Sequence, residues 1–337
     1  MSDQVHVRVP ELHSRMRAAF TRAGLPAEAA GAAADSLTEA ECAGKKTHGL
    51  VRVDYVCDET IKKKPGAVSV YREGPSFLGI DGARHMAYHP GLVAVARGVE
   101  TARSSGLCLA GVRNCGHSGM LGFFVRRIAR EGLWGLAAAH CIPLMAPHGG
   151  GRAVLGTNPV ALGLPRAGAG PLVVDFSPAA TTFGAVSVAR ASGKTIPRDS
   201  ALDREGRPTT DPAAVMDGGT LLPAAGHKGS ALALMVQLLC GPLMGAAAVP
   251  EKAADYGLLL LMIDPGLLHP AARTGEAVEA VLSAVLACPP GDGFQSVRLP
   301  GEKAAAALER AERDGIYVDK KLWARAGVLA GLESGDA

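Results

Sequence analysis

Apolar residues recur at helical spacing at both ends of the chain and bunch into short uniform runs between them. Leu12, Met16, Ala19 and Phe20 mark one face of a first helix that Gly24 ends, and Pro26 opens a second, alanine-rich helix running to about Cys42. The C-terminal part mirrors this. Residues 301–314 read as a charged helix closed by Gly315, and Asp319 is placed to cap a last helix carrying Leu322, Trp323 and Val328. Between these ends the pattern predicts strands at 108–113, 133–139, 160–164, 172–176, 258–263 and 296–299. Helices are expected at 92–104, 121–131, 229–239 and 275–287. Uniformly apolar strands separated by helices point to a sheet covered on both faces, hence an α/β core. Residues 189–221 break the pattern. They are polar and rich in Gly, Pro, Asp and Arg, and read as a long ordered excursion between core elements.

Composition narrows the function more than the fold. With 337 residues, 48% hydrophobic and 20% charged, the chain can bury a sizeable core and exceeds a single typical domain. Aromatics at 4% and a net charge of +3, with no basic run longer than Lys62-Lys63-Lys64, argue against nucleic acid as a partner. The charge-free stretch 230–250 has the length of a membrane span, but Gln237, Gly241, Pro242 and Gly245 within it favour a helix buried inside the protein. Seven scattered cysteines without a C-x-x-C pair, and no apolar leader core, fit reduced thiols in a cytoplasmic protein.

No G-x-G-x-x-G follows the first strand. The glycines at 149–151 and 168–170 have other spacings, and no Walker loop is present. A dinucleotide site, if there is one, is built another way. Histidines give the chemical handle, and with no C-x-x-C pair to complete a ligand set none reads as a metal ligand. Thr47-His48-Gly49 precedes Arg52 and Tyr55. On a continuing helical turn His48 and Arg52 share a face, so a guanidinium can grip a carboxylate while the imidazole passes a proton to the neighbouring atom. Residues 114–119, Asn-Cys-Gly-His-Ser-Gly, join a strand to a helix and offer exposed amides to an anion. Gly226-His227-Lys228-Gly229 opens the apolar helix as a seat for phosphate.

These strings resemble the malate/L-lactate dehydrogenase-like oxidoreductases, a nicotinamide-dependent family outside the Rossmann group. The resemblance runs over nearly the whole chain: His48-Gly49-Leu50, Asn114-x-x-His117-x-Gly119, residues 146–150, Gly156-Thr157-Asn158-Pro159, Asp175-Phe176-Ser177, residues 206–212, Gly226-His227-Lys228-Gly229 and residues 298–302. It implies a non-Rossmann cofactor domain with a mixed sheet over residues 76–254. A mainly helical lobe for substrate and dimerisation would comprise residues 1–75 and 255–337. It implies His48 as proton donor with Thr47 beside it, and substrate contacts from Arg52, Thr157, Phe183 and Gly184. Cofactor contacts are implied from His117, Ser118, Gly119, Met120 and Leu121, from Asp175, Phe176 and Ser177, from His227 and Lys228, and from Pro300, Gly301 and Glu302. A homodimer acting on a small carboxylate, with NADPH favoured and NADH possible, is also implied. Ser230 in the helix and His148 in its Pro-His-Gly string are similar to the reductases of Δ1-piperideine-2-carboxylate and Δ1-pyrroline-2-carboxylate. The malate/lactate type of 2-hydroxy acid dehydrogenase is the alternative. Ala185, where that reductase branch carries Asp, leaves a catalytically silent binding protein as a third reading.

Overall fold

A computed structural model describes residues 3–251 and 255–332; the ends of the assigned helical lobe and of the cofactor domain at 1–2, 252–254 and 333–337 lie outside the described residues. The strands are β1 (Gln4–Val7), β2 (Ser69–Gly74), β3 (Phe77–Asp81), β4 (Leu107–Cys115), β5 (Trp134–Ala139), β6 (Val160–Leu164), β7 (Leu172–Phe176), β8 (Ala201–Leu202), β9 (Thr220–Leu221), β10 (Tyr256–Ile263) and β11 (Ile316–Asp319). The helices are α1 (Val9–Arg22), α2 (Ala27–Cys42), α3 (Val53–Lys63), α4 (Tyr88–Ser105), α5 (Gly122–Arg130), α6 (Phe183–Ala191), α7 (Pro212–Met216), α8 (His227–Cys240), α9 (Ala271–Leu286), α10 (Glu302–Asp314) and α11 (Lys320–Ala330). Two 3-10 turns, Lys46–His48 and Leu50–Arg52, link α2 to α3.

Seven strands form one sheet in the order β2-β3-β4-β10-β5-β6-β7. Only β3 and β4 pair in parallel; every other neighbour pair is antiparallel. This is the mixed α/β sheet expected, and its order is not that of a Rossmann fold. The middle strand, β10, explains the uniformly apolar pattern. Leu258, Leu260 and Met262 belong to the core that includes Val95 and Val99 of α4 and Phe124 and Ile128 of α5, while Leu259 packs with Val236 and Cys240 of α8 on the other face. Alternate side chains of one strand thus serve two layers. The helical lobe has its own core around Leu12, Phe20, Leu37, Val56 and Trp323. β1 pairs with β11, so the two chain ends are joined in one small sheet. Asp319 caps α11 by accepting the backbone N–H of Lys321 and Leu322.

Three expectations need correction, and one pair of strands lay outside them. β10 begins inside the segment grouped with the C-terminal helices, yet it is the centre of the sheet, because its partners β4 and β5 come from far along the chain. Residues 296–299 form no strand. Leu299 is buried, but among the described residues no strand pairs with it, and Pro300 follows without an N–H. The polar edge strand β2 and its partner β3 carried no clear alternation and were not foreseen. The helix α8 is not wholly buried. Gly229, Ala233, Val236 and Cys240 face inward while Leu234, Met235, Leu238 and Leu239 are exposed. Among the described residues no helix is long and apolar enough to cross a membrane.

Leu260→Ala, at a fully buried position of β10, is expected to lower unfolding free energy by about 2–5 kcal/mol through the lost transfer energy and the cavity left behind. Leu268→Ala, at a position 95% exposed, is expected to change it by less than about 0.5 kcal/mol. Urea unfolding of the two variants checks both values.

Candidate active site

The chain between α2 and α3 is held by one carboxylate. Glu41, in the last turn of α2, is 5% exposed. Its Oε2 accepts the Leu50 N–H at 2.8 Å and its Oε1 accepts from Lys46 Nζ at 2.6 Å. Gly49 lies against it so closely that a Cβ there would collide with the carboxylate. The loop is therefore folded over Glu41 as two short turns, with a non-helical Gly49 (φ −100°, ψ −136°) between them. His48 and Arg52 do not share one continuous helical turn, as the spacing suggested. They are brought together by Thr47: its Oγ1 is 3.0 Å from His48 Nδ1, and its carbonyl accepts from Arg52 Nε at 2.8 Å. From the far side Gly184 of α6 packs on Thr47 with no room for a side chain.

His117, from the loop after β4, stacks on His48 with ring centroids 5.6 Å apart and planes 25° off parallel. Tyr55 and Tyr88 each present an edge to His117. Burial, and then the Arg52 and Lys45 charges, push the His48 pKa down to about 4. Burial first, and then His48 and Arg52, hold His117 well below the ordinary imidazole range. Both rings are neutral at pH 7 in the unliganded protein, which removes the repulsion that two stacked imidazoliums would suffer.

Two clefts meet at the Lys45–His48 loop. The first, about 480 Å³, is lined by Lys46, Thr47, Arg52, Tyr55, Phe183 and Leu322 among others. Its cations are Arg52 and Lys46. Lys46 is paired with Glu41, whereas no described carboxylate pairs with Arg52. The second, about 520 Å³, is lined by Lys45, Met120, Asp175, Phe176, Gly301 and Lys303 among others. Lys45 lines the second cleft and Lys46, next in the chain, lines the first; the Lys45 charge acts on both His48 and Asp175. The Asp175 carboxyl accepts the Gly122 N–H at 2.9 Å, and burial raises its pKa. Lys45 and Lys303 have no described carboxylate partner. Beside them stand the exposed Phe176 ring and the start of α10 at Gly301-Glu302. Free cations, an open aromatic face and a helix N-terminus suit the pyrophosphate and rings of a dinucleotide.

The expected residues divide accordingly. Thr47, Arg52, Phe183 and Gly184 line the first cleft; His48 and His117 line neither cleft but join the first through Thr47, and Met120, Asp175, Phe176, Pro300 and Gly301 line the second. Thr157 lines neither cleft; it lies against Cys141, and its carbonyl accepts from Ser177 Oγ at 2.6 Å. Leu121 is fully buried in the core, and Gly119, with a left-handed φ of 69°, abuts the Tyr88 ring. His227 and Lys228 open α8 and line neither cleft; His227 meets His148, whose N–H donates to Ser230 Oγ at 3.0 Å. That turn reaches the end of β7 through Ala224 N–H and Pro178 O at 2.7 Å. Ser118 makes no described hydrogen bond, and Glu302 begins α10. Glu41, Lys45 and Tyr88 were missed. The one available signal was Glu41 itself, a carboxylate four positions after Leu37 on the otherwise apolar face of α2.

The fold is α/β, built without a Rossmann domain, and its two clefts adjoin at one loop; the class of oxidoreductase follows from the family it matches. The malate/L-lactate dehydrogenase family model matches residues 7–326, and the chain belongs to that family. It is 34% identical to an L-sulfolactate dehydrogenase of Methanothermobacter thermautotrophicus, over 91% of each chain. It is 33% identical to a Δ1-pyrroline-2-carboxylate/Δ1-piperideine-2-carboxylate reductase of Pseudomonas syringae pv. tomato, over 96% of each. The solved structure of a dehydrogenase from Sinorhizobium meliloti superposes with a TM-score of 0.89 at 31% identity, covering 97% of this chain and 98% of that one.

Glu41→Gln keeps the shape but sets an amide N–H against either the Leu50 N–H or the Lys46 ammonium. It is expected to cost about 1–3 kcal/mol of stability and to cut turnover about tenfold, with cofactor affinity held within about twofold. Urea unfolding, steady-state kinetics and a cofactor titration on the same preparation check this.

Proposed function

We propose that this enzyme is an NAD(P)H-dependent reductase of a small cyclic imino acid, Δ1-piperideine-2-carboxylate or Δ1-pyrroline-2-carboxylate, forming the L-amino acid. The observation that carries this reading is the charge inventory of the first cleft. Arg52 is its one unpaired cation among the described residues, and Val51, Tyr55, Phe183, Val188 and Leu322 give it apolar walls. Such a site suits one carboxylate on an apolar ring. A second anionic group, as in a dicarboxylate or a sulfonated acid, would have to draw Lys46 away from Glu41.

Arg52 holds the substrate carboxylate, and Thr47 fixes His48 beside it. A bound reduced nicotinamide supplies the hydride for the carbon next to that carboxylate. The neutral His48 accepts the N–H of a protonated imine. Once the substrate carboxylate offsets Arg52, the ring can also take up a proton and return it to the nitrogen. Lys45, Lys303 and Phe176 would hold the cofactor, and two free lysines favour NADPH with its extra phosphate over NADH. His227 and Lys228 would reach the same cofactor from the start of α8. The helical lobe then carries the substrate side and the sheet the cofactor side. The exposed Leu234, Met235, Leu238 and Leu239 of α8 suit the contact of a cytoplasmic homodimer.

The second reading is a 2-hydroxy acid dehydrogenase. The sulfolactate dehydrogenase at 34% identity favours it, as does Ala185, which leaves His48 without a neighbouring carboxylate. Oxidation of NADPH and NADH with the two cyclic imines, pyruvate, oxaloacetate and sulfopyruvate decides between them. The highest kcat/KM is expected with a cyclic imine, and a higher value with any open-chain 2-oxo acid overturns the reading.

Two further outcomes follow from the site. His48→Asn is expected to reduce turnover about a hundredfold, read with a 2-oxo acid where no substrate proton can substitute, while cofactor affinity stays near wild type. The His48 pKa is about 4 in the unliganded protein, and a bound carboxylate raises it, so binding takes up a proton. Affinity for a substrate analogue carrying one carboxylate is therefore expected to rise as pH falls from about 6.5 toward 4, and calorimetry in buffers of different ionisation enthalpy should show the uptake.

A further inference from the structure

The hydrogen bonds around His117 decide which of its nitrogens carries the proton. The Gly119 N–H points to His117 Nδ1 at 3.1 Å, and a backbone amide can only donate. Nδ1 is therefore a lone pair, and the proton sits on Nε2. The Tyr88 hydroxyl lies 3.3 Å from the same Nδ1. Tyr88 is fully buried at the start of α4, and no other described group bonds its hydroxyl, so the hydroxyl donates to the Nδ1 lone pair that it shares with the Gly119 N–H. No described group accepts from Nε2. The charged or titratable groups facing His117 are His48 and Arg52 from the catalytic loop, Tyr55 from α3 and Tyr88 from α4. None is a carboxylate that would favour a charged ring.

We propose that Tyr88 is a positioning residue that locks His117 as a neutral Nε2–H donor, so that His117 binds a ligand oxygen by hydrogen bond while His48 alone exchanges protons. The ligand oxygen is of carbonyl type: the substrate carboxylate or the carboxamide of the cofactor. The two stacked rings then have separate tasks. The Gly119 N–H is a contact within the loop itself, two residues away, and leaves the ring free to follow that loop. Tyr88 ties the ring to α4, and through it to the sheet. The division of tasks rests on the reading of the first cleft as the reduction site; the tautomer does not.

The test uses the whole enzyme with ¹⁵N-labelled histidine, the His117 signals being assigned by their loss in His117→Asn. Long-range ¹H–¹⁵N spectra of the unliganded wild type are expected to show a pyridine-type Nδ1 and a pyrrole-type Nε2, with no titration in the ordinary imidazole range. Tyr88→Phe keeps the ring that packs the lobe and removes only the donor. Its His117 nitrogens are expected to move toward averaged values and to titrate at higher pH. Its kcat is expected to fall about five- to tenfold, as for one lost hydrogen bond, with an acid limb shifted upward and substrate KM within about twofold. A pyridine-type Nε2 in the wild type overturns the lock. So does a Tyr88→Phe protein with unchanged nitrogen shifts, or with changed shifts and a wild-type kcat and pH profile. If no compound of the substrate panel turns over, the functional reading fails while the nitrogen shifts still decide the lock.

Discussion

The active-site loop depends on one buried carboxylate. Glu41 lies at the end of a helix packed into the lobe core, where an unpartnered charge would be costly. It is satisfied from the segment it organises, by the Leu50 N–H and the Lys46 ammonium. Those two bonds, with Gly49 pressed against the carboxylate, give the chain its sharp double turn. Thr47, His48 and Arg52 are thereby delivered to one place, although they do not share a helix face. The pairing also decides the chemistry of the cleft. With Lys46 neutralised, Arg52 is left as the unpaired cation among the described residues, and the cleft presents one strong anion contact against apolar walls.

The second constraint is electrostatic. Two imidazoles stacked 5.6 Å apart beside a guanidinium cannot both be charged at low cost, and burial pushes both toward the neutral form. A neutral pair is stable until a ligand brings negative charge to Arg52. On the proposed function, protonation of His48 would be linked to substrate binding, and the empty site would hold no reactive proton. The shared position of Lys45 extends the coupling to the second cleft, because the same ammonium acts on His48 and on Asp175.

Much of the frame was legible in the chain itself. β6 and β7 fall on the residues predicted, α1 follows the spacing of Leu12, Met16 and Phe20, α2 runs from just after Pro26 to Cys42, and Asp319 caps α11 as its position suggested. Local signals of this kind act within a few residues. The failures were long-range. β10 is apolar on both faces, so nothing in it names the layer or the partner strands, which lie more than a hundred residues away. β2 is a polar edge strand whose place is set by β3 alone. Leu299 is buried but unpaired, and burial without a partner strand reads the same as a strand in the sequence.

For the site, sequence determined the chemical types: His48, Arg52 and His117 as candidates, and the strings that line the second cleft. Short-range spacing and residue chemistry suffice for that. Tertiary structure decided which of them act together, because that depends on distances between segments that the chain does not encode locally. It brought Gly184 of α6 onto Thr47 and separated Thr157 from the first cleft. It placed Lys45 on the second cleft beside Lys46 on the first and set Tyr88 against His117 across 29 residues of sequence. Charge states also waited for the fold. A histidine in a sequence is an imidazole with a pKa of about 6.5, and only burial beside Arg52 and Lys45 makes His48 neutral.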